Sequence, residues 1–470
     1  MSIATDRATV AGTPDGGRPT YLRGHFAPVA DEIDAVDLPV EGTLPPELTG
    51  RYLRNGPNPL PGQDPGHWFT GHGMLHGVRL RDGRAEWYRN RWVRTGALAG
   101  RPFLSESGVD LSAVVANTHV VEHAGRLLAL VESGLPHEVD AELGTVGPCD
   151  FGGRLTTAMT AHPKTDPVAG ELHFFGYSPF PPYLTYHRLS AAGELVVSRP
   201  VAVAGPTMMH DFAVTAHHVV WLDLPMTFRW DRIAQGGMPF GWDDTYGARL
   251  GVMRADDPEA MVRWFDVDPC YVFHVGTACE DAAGRIVLDG ARYGRDDVAV
   301  MWEGAPTPGD RDPASRAAAT GRARMHRWVL DPATGAVSES VLAEQGLEFP
   351  TLDDARVGRP ARYRYAVSAS AASNAVVKLD LDTGGLTGHE LGPDVVAGEA
   401  VFVPATGDGT RREDDGWLLT ITTRRDGSAS ALLVLDAGDV SRTVARVTLP
   451  RGVPAGFHGS WIPDAPAGAS

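Results

Sequence analysis

Trp328-Val329-Leu330-Asp331-Pro332-Ala333-Thr334-Gly335 runs as a strand-like segment that ends on Asp, enters a Gly-containing turn and leaves as another strand-like segment. Lys378-Leu379-Asp380-Leu381-Asp382-Thr383-Gly384-Gly385 follows the same scheme, and Leu433-Val434-Leu435-Asp436-Ala437-Gly438 is a looser copy. A strand–Asp–turn–strand unit at roughly 50-residue spacing predicts the blades of a β-propeller. Working outward, Val120–Glu122 and Leu127–Val131 flank the turn Ala124-Gly125-Arg126. Val214–Leu224 passes through a turn at His217-His218, and Asp281-Ala282-Ala283-Gly284 leads into Arg285–Leu288. Gly (55) and Pro (36) are spread throughout the chain and helix signals are weak, so the expected class is all-β. Two stretches break the scheme. Glu303–Arg324 is rich in Ala, Arg, Pro and Gly and reads as an exposed loop; Ile233–Gly251, with Phe240, Trp242 and Tyr246, reads as an irregular cover over one face.

The 470 residues, 43% hydrophobic and 21% charged, have a soluble globular composition, and a radial β architecture can accommodate such a length in one domain. A net charge of -17 disfavours a nucleic-acid groove. Cys149, Cys270 and Cys279 contain no C-x-x-C pair, which gives no disulfide framework or thiolate zinc site and fits a reducing cytoplasm. Met1–Pro19 lacks the apolar core of a signal peptide, and no apolar run is long enough for a membrane span, which leaves peripheral membrane contact open. The expected organisation is a tail over 1–20, one propeller domain over 21–463 and a short tail over 464–470.

Four histidines sit in loop-like contexts beside strand-like runs: Ala161-His162-Pro163, Met209-His210-Asp211, Phe273-His274-Val275 and Phe457-His458-Gly459. Separate strands that each deliver one imidazole to a common point would make a site for iron, copper, nickel or zinc. The chain has 17 His, and the residues alone leave that choice open. His25, His67, His173, His187, His326 and His389 read as ordinary surface or core residues. His217 and His218 read as solvated turn residues. His72 and His76 read as structural, because the glycines around them argue against a helix; His119 and His123 flank a strand and are unassigned.

Whole segments resolve the choice. Gly50-Arg51-Tyr52-Leu53-Arg54-Asn55-Gly56-Pro57-Asn58-Pro59, His67-Trp68-Phe69 and Gly73-Met74-Leu75-His76-Gly77 resemble the N-terminal motifs of the carotenoid cleavage oxygenases. Thr160-Ala161-His162-Pro163, Met209-His210-Asp211-Phe212, Phe273-His274 and Gly456-Phe457-His458-Gly459 resemble the later motifs of that family, in order, from about Thr43 to Trp461. The resemblance implies a seven-bladed β-propeller with a loop and helix dome over one face. It implies one Fe(2+) per chain held by His162, His210, His274 and His458, with O2 as co-substrate.

Three glutamates match the family's partners of the metal-bound imidazoles, which orient the rings and raise their basicity: Glu132, Glu348 and Glu399, implied to pair with His210, His274 and His458. His162 is left without a carboxylate. Thr118 matches a threonine whose methyl crowds an open iron position. The implied reaction is scission of a carbon–carbon double bond by O2 to two carbonyl products, on an apolar polyene in a tunnel for which Phe69, Val131, Tyr177 and Phe273 are candidates, with Pro181-Pro182-Tyr183 beside them. Family members resembling lignostilbene dioxygenases carry Lys immediately before the first of these glutamates, where this chain has Val131. That favours a carotenoid or apocarotenoid over a hydroxylated stilbene. A propeller that binds a ligand without catalysis is the reading from another class, and iron content with O2 uptake separates the two. A hydrolase is disfavoured because no G-x-S-x-G elbow occurs. Met238, Phe240 and Trp242 are expected at a membrane-facing rim, and no protein partner is implied.

Overall fold

The repeated aspartates close the blade turns by bonding their own backbone. Asp331 accepts hydrogen bonds from the Ala333 and Thr334 N–H groups and from the Thr334 hydroxyl. Asp436 accepts from the Gly438 and Asp439 N–H groups. The Asp331 turn then needs left-handed backbone, and Gly335 supplies it at φ +83° without a Cβ penalty. Each such turn reverses the chain, so consecutive strands pair antiparallel.

The computed structural model describes residues 18–234, 238–257, 259–303, 322–369, 373–406 and 411–464. Seven antiparallel sheets form a seven-bladed β-propeller. Four consecutive strands make the blade His119–His123, Arg126–Leu130, His137–Val139 and Thr145–Pro148, and the blade Lys164–Thr165, Leu172–Tyr177, Leu184–Leu189 and Leu195–Val201. The next begins at Ala213–Val214, followed by those beginning at Tyr271–Glu280 and Glu348–Thr351. The two remaining blades close the ring. Val40–Gly42 pairs with Thr443–Thr448 in one, and Gly459–Pro463 pairs with Gly50–Pro57 in the other. Both ends of the chain are thereby stitched into the circle.

Burial follows the alternation that two-faced sheets demand. In Leu172–Tyr177 and His218–Asp223 nearly every residue is buried, because blades pack on both sides. The outer strand Leu195–Val201 alternates exposed residues with buried or half-buried ones, since one of its faces meets water. Phe212 stacks on Trp221 of its own blade at 5.6 Å, and across the blade boundary Phe175 meets Phe212 edge-on at 5.2 Å.

Short elements cover one face: the 3-10 turns Thr20–Leu22, Gly24–Phe26 and Trp68–Thr70, the helices Trp230–Ala234 and Arg295–Glu303, and the hairpin Met226–Phe228 with Phe240–Trp242. The stretch Ile233–Gly251 is therefore more regular than expected: it contains one strand of that hairpin, and Arg249–Arg254 is a blade strand. Its sequence carries few apolar alternations because the hairpin is half exposed. The helix Arg295–Glu303 was not expected. The loop expected over Glu303–Arg324 lies mostly outside the described residues, as do nearly all of the tails expected over 1–20 and 464–470. Among the described residues no helix is long and apolar enough to cross a membrane, and the three cysteines are free.

Candidate metal centre

Each blade presents one residue at the start of its inner strand. In chain order these are Thr118, His162, His210, His274, Glu348, Glu399 and His458, every one lying in the first four residues of an inner strand or within three residues before it. His274 lies in a β-bulge of Tyr271–Glu280, inside the register shift between Val272 and Val275, which re-aims the side chain. Radial symmetry thus turns seven distant sequence positions into one ring.

The imidazoles converge. Ring nitrogens of His162, His210 and His274 lie within 4.8 Å of one another. The His458 ring centroid is 4.5 Å from that of His162 and 4.9 Å from that of His274. The three glutamates meet the expected partners: His210 Nδ1 lies 3.0 Å from Glu132, His274 Nδ1 2.6 Å from Glu348 and His458 Nδ1 3.1 Å from Glu399. A carboxylate only accepts, so each Nδ1 carries the hydrogen, and in a neutral ring Nε2 is left with its lone pair facing inward. His162 has no carboxylate bond among the described residues; its backbone N–H is held by the Thr160 hydroxyl at 3.2 Å.

Burial pulls the His162 imidazole well below its usual range, helped by His458, His210 and His274. Burial likewise lowers His458, and Glu399 offsets only part of the effect. His274 differs: burial opposes its charge, yet the Glu348 carboxylate outweighs burial and holds it above the usual value. Burial would raise Glu399, but the pairing with His458 wins and brings it down to about 2.

The donor set fits a first-row metal ion. Nε2 of His162 and Nε2 of His210 stand 3.0 Å apart. Metal–nitrogen bonds of about 2.1 Å set at right angles would place two ligand atoms about 3.0 Å apart. Four imidazoles, three of them with orienting carboxylates, suit iron, copper, nickel or zinc rather than magnesium or calcium, which prefer oxygen.

Support for the ring comes from residues that sequence patterns did not single out. Asp211 is buried; it bonds the Val275 N–H at 2.8 Å and the Lys164 ammonium at 2.7 Å. One carboxylate thereby ties together the segments carrying His162, His210 and His274. The Tyr293 hydroxyl donates to Glu348 at 2.8 Å and fixes its second oxygen. Phe349 sits at φ +52°, a costly conformation for a non-glycine residue. It stacks on His274 at 4.6 Å and reaches His458 at 5.4 Å. His119, left unassigned by sequence, is half-buried beside the ring, its centroid 5.1 Å from that of His458, with Nδ1 2.9 Å from the Ala161 carbonyl and Nε2 3.1 Å from the Ser460 hydroxyl. Asp211 and His119 could have been found only by knowing which strands become neighbours.

The ring opens into a cavity of about 760 Å³ whose wall includes Thr118, Glu132, His210, His274, Glu348 and His458. All four tunnel candidates, Phe69, Val131, Tyr177 and Phe273, line it. Tyr183 does not, and Pro181-Pro182-Tyr183 is excluded from the wall because that turn projects outward with both prolines exposed. Met238 and Phe240 line it, whereas Trp242 does not. The Thr118 hydroxyl donates to Asn117 Oδ1 at 3.0 Å, which leaves its methyl as the group to face the cavity. His76 bonds Tyr88 within a strand, as a structural residue would. His25, read as an ordinary residue, lies in the cavity wall.

Comparisons with known proteins agree with this geometry. The model of the family described as retinal pigment epithelial membrane protein matches residues 26–463. A carotenoid cleavage oxygenase of Mycobacterium tuberculosis is 40% identical, over 94% of this chain and 97% of its own. A carotenoid 9,10(9',10')-cleavage dioxygenase 1 of Arabidopsis thaliana is 34% identical, over 94% and 90%. Among solved structures, a lignostilbene dioxygenase of Pseudomonas brassicacearum superposes with TM-score 0.84 at 28% identity, covering 96% of this chain and 100% of that one. A Synechocystis apocarotenoid oxygenase gives 0.80 at 28% identity, covering 95% and 98%. The chain belongs to the retinal pigment epithelial membrane protein family, that of the carotenoid cleavage oxygenases, and is an oxidoreductase of the dioxygenase type.

Proposed function

We propose that the chain is a non-haem Fe(II) dioxygenase that cleaves a carbon–carbon double bond of a carotenoid or apocarotenoid with O2, giving two carbonyl products. The observation that carries this is four convergent imidazoles, of which the three tethered to carboxylates, His210, His274 and His458, line an aromatic cavity. Iron bound there supplies the redox chemistry that activates O2, which zinc cannot. The residues do the rest. Glu132, Glu348 and Glu399 hold three rings in the tautomer that presents Nε2. The Thr118 methyl narrows the space above the ring. Phe69, Tyr177 and Phe273 align a flat polyene and exclude water from the reacting bond.

A stilbene substrate is the second reading, favoured by the likeness to the lignostilbene dioxygenase. Among the described residues no lysine lines the cavity, and Val131 stands beside Glu132, so a phenol oxygen has no ammonium to meet. Iron-loaded protein incubated with carotenoids, apocarotenoids and hydroxylated stilbenes decides between them. Rapid cleavage of stilbenes with none of the polyenes would overturn the proposal. Protein that cannot be loaded with iron and takes up no O2 would point to a binding module.

A cytoplasmic enzyme resting against a membrane completes the proposal. Trp230 and Ile233 are exposed beside Met238 and Phe240 of the cavity wall, and polyenes partition into lipid. Polar substitutions at Trp230 and Ile233 should slow turnover of vesicle-borne substrate and spare turnover in detergent; equal rates in both assays would remove the membrane contact.

A further inference from the structure

The cavity has two chemically different ends. A ribbon of rings connects them. His25 and Phe26 are 4.1 Å apart, Phe26 meets Trp68 at 5.1 Å, and Trp68 meets Phe457, the neighbour of His458, at 4.7 Å. From there Phe69 meets Trp302 at 5.5 Å, the Trp302 N–H donates to the Phe240 carbonyl at 3.2 Å, and Phe240 meets Tyr177 at 5.9 Å. The Phe240 end is apolar. The His25 end carries two guanidiniums in the wall, Arg23 and Arg425, with Thr20, Ser368 and Asn374.

That basic end is built. Gly24 adopts φ +56°, and a Cβ there would lie 2.5 Å from the Arg425 carbonyl oxygen, so only glycine lets the two segments touch. The His25 N–H bonds the Arg425 carbonyl at 2.9 Å, and the Ala455 N–H bonds the His25 carbonyl at 2.6 Å. Arg23 and Arg425 are thereby brought to one corner. The Arg425 side chain is itself fastened: Nη2 donates to Asn374 Oδ1 at 3.1 Å and Nε to the Pro393 carbonyl. Among the described residues its Nη1 makes no hydrogen bond.

We propose that the Arg23–Arg425 corner binds the carboxylate of an apocarotenoid acid, so that the preferred substrate is a polyene with one anionic end. Guanidinium is the cation best shaped for a carboxylate, and a fixed one loses little entropy on binding. The chain carries a net charge of -17, a field that discourages anions. Among the described residues the only carboxylates in the wall are Glu132 and Glu348, both already bonded to imidazoles. Two guanidiniums at the end of an otherwise aromatic cavity serve an anion that the rest of the molecule would repel. From Ala455, which touches this corner, to His458 is three residues, at most about 11 Å of chain. The bond brought to the metal centre is therefore counted from the acid end.

This inference rests on a polyene being the ligand. Equilibrium binding separates the two questions, since cleavage tests the reaction and affinity tests the corner. Three polyenes of equal length, ending in carboxylate, aldehyde and alcohol, are titrated into iron-loaded protein under argon and the absorbance shift is read. The acid is expected to bind about tenfold or more tighter than the alcohol, as a charge-assisted bond would give. Arg425→Gln and, separately, Arg23→Gln should erase that preference while leaving alcohol affinity and iron content unchanged, and Arg425→Lys should restore part of it. Equal affinity for all three ligands, or a loss that is the same for acid and alcohol in both variants, overturns the proposal. Preference for the acid without cleavage of any polyene leaves the corner standing and sinks the proposed reaction.

Discussion

Two populations of buried histidine occupy this propeller, one at the axis and one inside the blades. In the blades, His76 bonds the Tyr88 hydroxyl at 2.8 Å, His173 the Tyr186 hydroxyl at 2.7 Å and His187 the Thr157 hydroxyl at 2.8 Å. At the axis, His210, His274 and His458 bond carboxylates. The blade rings are the more deeply buried: His76, His173 and His187 are 2%, 4% and 0% exposed, against 13% and 12% for the side chains of His210 and His274. The partner differs for these residues: a hydroxyl satisfies a neutral ring, whereas a carboxylate fixes the N–H on Nδ1. His326, buried in a blade, also bonds a carboxylate, Glu339 at 3.1 Å, so what sets the axis apart is that its rings also converge. Burial alone therefore does not mark a functional histidine.

The largest test of that contrast exchanges one residue from each group. His210→Ala should abolish oxygenase activity and lower bound metal to well under one equivalent, with the melting transition of the metal-free protein little changed. His187→Ala should do the reverse, keeping metal and losing stability. Metal analysis beside thermal melts checks both; a His210→Ala protein that retains full metal would remove His210 from the ligand set.

Acid tests burial in both groups next, because burial also lowers His162 and His458 at the axis. Burial pushes His67, His173 and His187 down to about 4. Between the ordinary value near 6.5 and about 4, the unfolded chain binds protons that the folded chain refuses. Stability is then intact above about pH 6.5 and is lost as pH falls through this window, at most about 3 kcal/mol for each such histidine. His274 has the opposite sign. Glu348 holds it above its usual value against burial, so its contribution is present below about 6.5 and is lost as pH rises through the folded value. Urea titrations of metal-free protein from pH 7 to 4 should show falling stability overall, with His173→Phe flattening the slope; a slope unchanged by that substitution would contradict the assignment.

A smaller effect is expected at the carboxylates. Glu348→Gln keeps the shape but can no longer enforce the Nδ1–H tautomer of His274, and it leaves the bonds from Tyr293 and the Phe349 N–H to a weaker acceptor. Metal affinity should fall about 10- to 100-fold, measured by competition with a chelator. The same change at Glu280, which bonds His218 away from the axis at 2.9 Å, should leave metal affinity unchanged.

How much of this could be read from the chain follows from what is local. The blade turns were legible because Asp331, Asp380 and Asp436 bond residues two or three positions on. The propeller class came from their recurrence, but the number seven and the four ligands came from motif resemblance, since no spacing rule links His162 to His458. Asp211 was in plain sight beside His210, yet its role depends on Lys164 and Val275, which belong to two other blades. His25 and Arg425 were equally illegible, because they are 400 residues apart and meet only after the ring closes. Local hydrogen-bond chemistry shows in sequence, while contacts between blades do not.

The mildest perturbation dissects one blade histidine and its partner. Tyr186 is 1% exposed and His173 is 4% exposed, so neither can turn to water if the other is removed. His173→Phe alone strands the phenol hydroxyl and should cost about 1–2 kcal/mol, and Tyr186→Phe alone strands Nδ1 at a similar cost. The double substitution leaves no polar atom unpaired there. Its cost should be less than the sum of the two, because the penalty lies in the orphaned group rather than in the missing bond. Metal content should be unchanged in all three proteins. Additive costs would mean that the pair is not coupled, and the hydroxyl would then not be what keeps this histidine neutral while its counterparts at the axis are turned toward one another.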